Sequence, residues 1–159
     1  MRYIFDLDHT VICSRHRQAT LPCGSLDLAH WKENSTPEKV MADSLLPLAD
    51  MMRDLFWDGH EIVVCTARVM ATADYQFLAK NNLYYSRMLS RPDGVTLGDG
   101  VLKEYLLRQY AAELDISFAR FAKTSVMFDD NNVVIEHLQP FGLSVYNAIS
   151  VNKSLAKAS

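Results

Sequence analysis

Three short apolar runs in this chain each end on polar or acidic residues, and that shared ending restricts the fold more than any other feature. Arg2-Tyr3-Ile4-Phe5 runs into Asp6-Leu7-Asp8-His9-Thr10, Ile62-Val63-Val64-Cys65 into Thr66, and Ser125-Val126-Met127-Phe128 into Asp129-Asp130. Runs this short, rich in branched and aromatic side chains, read as buried strands. Helical periodicity fills the intervals. Leu45, Leu48, Ala49, Met52 and Leu55-Phe56 recur at helical spacing, and Asp58-Gly59 supplies a stop. Ala71 to Lys80 reads as a second helix ended near Asn81-Asn82, and Tyr84 to Leu89 as a weak third strand. Pro92, Gly94, Gly98 and Gly100 mark residues 90–100 as a loop. Val101, Leu102, Tyr105, Leu106 and Tyr110 give the next helix its apolar face. A helix over Val133–Leu138 and a strand over Leu143–Tyr146 complete the series, and the tail after Ser150 reads as polar and frayed.

Strands alternating with helices predict an α/β fold: a Rossmann-like parallel sheet with helices on both faces. Ligands bind such sheets beyond the carboxyl ends of the strands. All the strongly polar strand ends then fall on one edge, which brings Asp6, Asp8, Thr66, Asp129 and Asp130 to a common place. The reading is one domain over 1–150, with a polar insertion at about 13–44 broken by Pro22, Gly24 and Pro37. Residues 151–159 form the polar tail.

A chain of 159 residues with 49% hydrophobic side chains can bury one real core. It contains no run of 18 apolar residues and no signal-peptide pattern at its start, so a soluble, cytoplasmic protein without a membrane partner is expected. Cys13, Cys23 and Cys65 form no CxxC pair, which disfavours a zinc site or a disulfide framework. The net charge of −3 argues against a broad basic surface for long nucleic acid, while leaving room for a small basic pocket around one phosphate.

Asp6 and Asp8, bracketing one residue at the end of a buried strand, sit at a costly place unless a cation offsets their charge. Oxygen ligands suit magnesium. A solvated turn with an Asx-type hydrogen bond at Asp8 is the plainer alternative. Thr66 can hold an anionic oxygen at a helix start or simply cap that helix. Lys103, placed in the first turn of its helix, opposes the dipole there and is well placed to reach a phosphate. Adjacent Asp129 and Asp130 repel each other unless a cation or donor is near, and a helix cap accounts for one of them better than for two.

These items, in this order, resemble the haloacid dehalogenase-like (HAD) superfamily: Asp-x-Asp-x-Thr at Asp6-Leu7-Asp8-His9-Thr10, then Thr66, Lys103 and Asp129-Asp130. The resemblance spans residues 1–146. It implies a phosphatase in which Asp6 attacks phosphorus to give an aspartyl-phosphate and Asp8 serves as acid and then base. Thr66 and Lys103 would neutralise the phosphoryl oxygens. Mg²⁺ would be held by Asp6, by the main-chain carbonyl of Asp8, and by Asp129 or Asp130. His9 occupies a variable position that this scheme does not require.

A finer resemblance is to the 3′-phosphatase domain of polynucleotide kinase-phosphatases and related phage-type HAD proteins. Thr66-Ala67-Arg68 is similar to that group's Ser-Gly-Arg, and Arg91, Asp99 and Lys103 to its spaced Arg…Asp…Lys. Asn131 replaces the arginine of its Asp-Asp-Arg, which removes one cation. No P-loop is present. Substrate contacts implied or considered are Arg68, Thr10, Arg15, Arg17 and Arg91, with Trp31, Tyr84 and Tyr85 as stacking candidates. The insertion would be a small cap over an open site, and the substrate a nucleotide or a 3′-phosphorylated nucleic-acid end. A small metabolite such as a sugar phosphate is the second enzyme reading, and an inactive HAD scaffold the third.

Overall fold

A computed structural model describes all 159 residues. In chain order the first half contains β1 (Arg2–Phe5), β2 (Ile12–Cys13), α1 (Leu28–Glu33), α2 (Pro37–Met41), β3 (Ser44–Leu45), α3 (Leu48–Trp57) and β4 (Glu61–Thr66). The second half contains α4 (Thr72–Lys80), β5 (Arg87–Ser90), α5 (Asp99–Glu113), α6 (Phe118–Lys123), β6 (Ser125–Asp129), α7 (Asn132–Leu138), β7 (Ser144–Asn147) and α8 (Ala148–Ala158). Five strands make one parallel sheet in the order β5-β4-β1-β6-β7.

Side chains alternate across a strand, so each strand feeds two layers. Ile4, Val63, Cys65, Met127 and Val145 point to one face, where Leu102, Leu106 and Tyr110 of α5, Phe121 of α6 and Val134 and Leu138 of α7 cover them. Phe5, Ile62, Val64 and Phe128 point to the other, beneath Leu48 and Met52 of α3, Phe77 and Leu78 of α4 and Ala148 of α8. Both faces being buried explains why the strands read as unbroken apolar runs rather than as alternating ones.

The chain builds β1, β4 and β5 outward in one direction, then crosses back to add β6 on the other side of β1. This places the topological switch point between β1 and β6, where crevices form beyond the carboxyl ends. Asp6 continues β1 and Asp129 ends β6, so two acids flank that point.

The 13–44 segment leaves the sheet edge from β2 and returns through β3, which pairs with β2 antiparallel in the register Ile12↔Leu45 and Cys13↔Ser44. Within it lie a 3₁₀ turn at Arg15–Arg17 and the short helices α1 and α2, capped by the side chains of Asp27 and Thr36. Neither short strand is visible as a pattern in the sequence, because two residues per strand carry no period.

Three local expectations change, and one large aromatic side chain stays outside the core. The third strand starts at Arg87, and Tyr84 and Tyr85 precede it at the amino edge of the sheet, where Ser86 donates its amide to the Ile62 carbonyl. Helix α5 begins at Asp99, so Lys103 lies in its second turn rather than its first. Trp57 is 72% exposed and packs edge-on against Phe56 and Tyr84, unlike the fully buried Met52. The segment after Ser150 is helical: α8 is held by Asn152, whose amide donates to the Thr10 carbonyl (2.9 Å) and accepts from the Leu48 amide (2.8 Å). No helix is long and apolar enough to cross a membrane.

Candidate active site

The turn after β1 is folded around a single carbonyl. Leu7 O accepts the amides of Thr10, Val11 and Ile12 at 3.0–3.1 Å, which reverses the chain and turns Asp6 and Asp8 to the same edge. The reversal forces His9 to φ +60, a left-handed conformation unusual for a residue with a side chain. Asp6 is anchored by its amide, which donates to the Phe128 carbonyl at 3.0 Å.

The Asp6 carboxylate accepts from Lys103 Nζ at 2.9 Å and from the Thr10 hydroxyl at 3.3 Å. Lys103 donates equally to Asp129 Oδ2 at 2.6 Å, so one buried ammonium bridges two buried acids. Asp129 also accepts the Asn131 amide, and Asn131 caps α7 by accepting from Val133. The residue that replaces an expected arginine is therefore a helix cap. Carboxylate oxygens of Asp6, Asp129 and Asp130 lie within 4.8 Å of one another.

Three acids against one lysine leave a surplus of negative charge. Burial, only partly offset by Lys103, pushes Asp6 well above the ordinary carboxylate range, and Asp129, Asp130 and Asp8 add to the rise. Burial and then Asp129 push Asp130 up as well. Lys103 itself is held above its ordinary value: burial opposes its charge, but Asp6 and Asp129 outweigh burial. An oxygen-rich, electron-rich cluster of this kind fits a hard divalent cation.

Asp8 has a different setting. Arg68 grips it with two bonds, Nε to Oδ2 at 2.9 Å and a terminal nitrogen to Oδ1 at 2.7 Å, and the Ser14 hydroxyl donates to Oδ1 at 2.6 Å. Burial works to raise the Asp8 pKa, but Arg68, Ser14 and Arg17 reverse it and leave the group below its ordinary range. Arg68 is itself fixed by Asp74 at 2.6 Å, and Asp74 in turn accepts the Ala71 amide at the start of α4.

Thr66 ends β4 almost fully buried and accepts the Arg68 amide at 3.1 Å. Helix α4 starts six residues later, so Thr66 is not its cap. Arg91 is spent on structure: it donates to the carbonyls of Ala67, Val95 and Leu97 and to Asp99, pinning the loop before α5 to the loop after β4. Arg17 is also committed. It is 1% exposed, pairs with both oxygens of Asp43 at 2.9 Å, donates to Ser35, and lies 4.1 Å from the Trp31 ring centroid. Arg15 is exposed, away from these ion pairs.

The structure thus brings Asp6, Asp8, Thr10, Thr66, Arg68, Lys103, Asp129 and Asp130 to the carboxyl edge. Arg17 and Arg91 are structural pins, and the Asp8 side chain lies outside the three-acid cluster. Tyr84 and Tyr85 sit at the wrong end of the strands for stacking on a substrate there. Asp43, Asp74, Ser14 and Asn152 were not anticipated from sequence, since a lone acid, serine or asparagine in a loop, a helix's first turn or a tail carries no spacing to mark it.

The family described as bacteriophage T5 5′-deoxynucleotidase matches residues 1–159 of the chain. The 5′-deoxynucleotidase of Escherichia phage T5 is 32% identical over an alignment of 179 residues, which covers 96% of this chain and 69% of that protein. The chain belongs to this family. Its fold is also that of a haloacid dehalogenase-like hydrolase from Streptococcus pneumoniae, with TM-score 0.67 at 8% identity over 99% of this chain and 98% of that one. A chain in the Pnkp1/Rnl/Hen1 complex is similar as well, with TM-score 0.65 and 19% identity. That match covers 92% of this chain and 44% of the other, so the chain spans less than half of that relative's length.

Proposed function

We propose that the protein is a magnesium-dependent phosphomonoesterase that acts on 5′-deoxynucleotides through a phosphorylated Asp6. The observation that carries the chemistry is Lys103 Nζ, buried between Asp6 and Asp129 beside Asp130 at the sheet's switch point. A Mg²⁺ ion held by Asp6, by Asp129 or Asp130 and by the main-chain carbonyl of Asp8 would supply positive charge to the phosphoryl oxygens. An Asp6 oxygen attacks phosphorus in line while the bond from phosphorus to the nucleoside oxygen breaks. Thr66 and Lys103 stabilise the charge that develops on the phosphoryl oxygens. Asp8 gives its proton to the leaving oxygen and then takes one from the water that hydrolyses the phosphorylated Asp6.

The Arg68 grip leaves Asp8 ionised in the free protein. An entering phosphate dianion competes for Arg68 and repels the Asp8 carboxylate, and both effects raise the pKa of Asp8 toward a proton-donating value. The 13–44 segment acts as a small cap whose base is held by the Arg17–Asp43 pair.

The substrate class rests on the relative from phage T5, which is named for 5′-deoxynucleotides. A second reading, a 3′-phosphorylated nucleic-acid end, draws on Thr66-Ala67-Arg68 and the Arg91, Asp99, Lys103 spacing. The test is kcat/KM with Mg²⁺ on a 5′-deoxynucleotide, a 3′-phosphorylated oligonucleotide and a sugar phosphate. A preference of about tenfold or more for the mononucleotide, near 1.4 kcal/mol in barrier, is expected. Preference for the oligonucleotide would replace this substrate with the end-processing one, and preference for the sugar phosphate would overturn both.

A further inference from the structure

The Asp8 carboxylate is the end point of a hydrogen-bond chain that no part of the catalytic scheme above uses. Ser14 Oγ lies 2.6 Å from Asp8 Oδ1, Gln18 Nε2 lies 3.1 Å from Ser14 Oγ, and His9 Nε2 lies 2.9 Å from Gln18 Oε1. The Ser14 hydroxyl donates its one hydrogen to Asp8 Oδ1. Ser14 must then accept from Gln18, which turns the Gln18 carbonyl toward His9. A carbonyl only accepts, so the proton of a neutral His9 ring sits on Nε2. The direction of every bond in the chain follows from the Ser14 hydroxyl donating to Asp8.

The chain is costly to build. Ser14 is fully buried, and His9 adopts φ +60, which glycine would take freely. Strain of this kind persists where the surroundings over-determine it, and it gathers at functional sites. Both lone-pair directions of Oδ1 are filled, by Ser14 and by a terminal nitrogen of Arg68, while Oδ2 receives only Arg68 Nε. Oδ2 is the oxygen with room for a proton.

We propose that Ser14, Gln18 and His9 are positioning residues that hold Asp8 so that its Oδ2 faces the leaving-group oxygen. This rests on the reading of Asp8 as proton donor. In that step the Oδ2–H bond breaks, the hydrogen passes to the nucleoside oxygen, and that oxygen takes the electron pair of the broken bond to phosphorus. The Ser14 bond stays on Oδ1 when a phosphate draws Arg68 away, so the carboxyl group is held against rotation and its proton stays on Oδ2.

The test compares Ser14→Ala, Gln18→Leu and His9→Gly on two substrates with Mg²⁺: a 5′-deoxynucleotide, whose alkoxide must be protonated as it leaves, and p-nitrophenyl phosphate, whose phenolate need not be. Each variant is expected to lose roughly tenfold or more in kcat on the nucleotide, within the range general acids contribute, with KM little changed. The loss on the aryl phosphate should be at least about fivefold smaller, because departure of that group needs no acid. His9→Gly should also raise Tm while lowering nucleotide turnover, a pairing that a merely structural role does not produce. Equal losses on both substrates, or wild-type kcat in Gln18→Leu and His9→Gly, would overturn the relay even if Ser14→Ala does not fold. Asp8→Asn separates the two levels. If it turns over the nucleotide like the wild type, the reading of Asp8 itself fails and the relay with it. If it is impaired while the three relay variants are not, the relay alone fails.

Discussion

Arg17 and Arg68 carry the same charge and both look, in sequence, like cations waiting for a phosphate, yet their surroundings give them unlike work. Arg68 faces Asp8 at the mouth of the site, where an incoming anion can compete for it. Arg17 is sealed against Asp43 with no exposed nitrogen to offer. A buried pair broken from one side leaves an uncompensated charge, which costs far more than the pair's own net worth. Asp43→Ala is therefore expected to destabilise the fold by about 3–5 kcal/mol, read from chemical denaturation, and to release the 13–44 segment to proteolysis. An unchanged denaturation midpoint would mean that Arg17 is not locked as described. The acids that read most clearly in sequence, Asp6, Asp8, Asp129 and Asp130, did so because each stands at the end of an apolar run. Asp43 stands in a loop and Asp74 in the first turn of α4, where nothing in the local pattern distinguishes an acid that faces an arginine from one that faces water.

At the scale of elements, the strands and most helices were legible because both faces of the sheet are covered, so burial wrote continuous apolar runs into β1, β4 and β6. The failures share one physical reason, which is that short or polar elements are stabilised by tertiary contacts rather than by their own composition. Helix α8 is the clearest case. Its residues after Ser150 read as a polar tail, and its place depends on Asn152 satisfying two backbone groups from distant parts of the chain. One of these is the carbonyl of Thr10, whose hydroxyl touches Asp6, so the last helix braces the first motif. Asn152→Ala would leave the Leu48 amide and the Thr10 carbonyl without partners inside the protein. The expected cost is about 2–4 kcal/mol from two such groups, with a fall in turnover on top of it. A loss below half a kcal/mol would show that α8 is an ornament of the fold.

For the molecule as a whole, the dominant electrostatic fact is a crowd of carboxylates at one edge with too few cations. Asp6 and Asp130 have folded-state pKa values above their unfolded ones, so the folded chain holds the extra protons in that window. Metal-free stability should then fall as pH rises from about 4. Asp8, with its lowered value, works the other way and loses its contribution only as pH falls through its folded pKa. Asp130→Asn is expected to raise Tm in metal-free buffer at neutral pH, by roughly 2–4 °C for about 1 kcal/mol in a chain of this size. The wild type should instead gain stability from Mg²⁺, about 2.7 kcal/mol at a hundred times Kd, and Asp130→Asn should lose most of that gain. A Tm indifferent to Mg²⁺ in both proteins would remove the metal from the account.

The central claim is that Asp6 becomes phosphorylated during turnover. The direct measurement is acid quench of the wild type during steady-state hydrolysis with Mg²⁺, followed by mass spectrometry of the N-terminal peptide. Borohydride treatment of the same sample would convert the phosphorylated side chain to homoserine. The account predicts a peptide heavier by one phosphoryl group, homoserine at position 6 after reduction, and neither product nor turnover in Asp6→Asn. Sustained phosphate release with no label at Asp6, or turnover that survives Asp6→Asn, would contradict it.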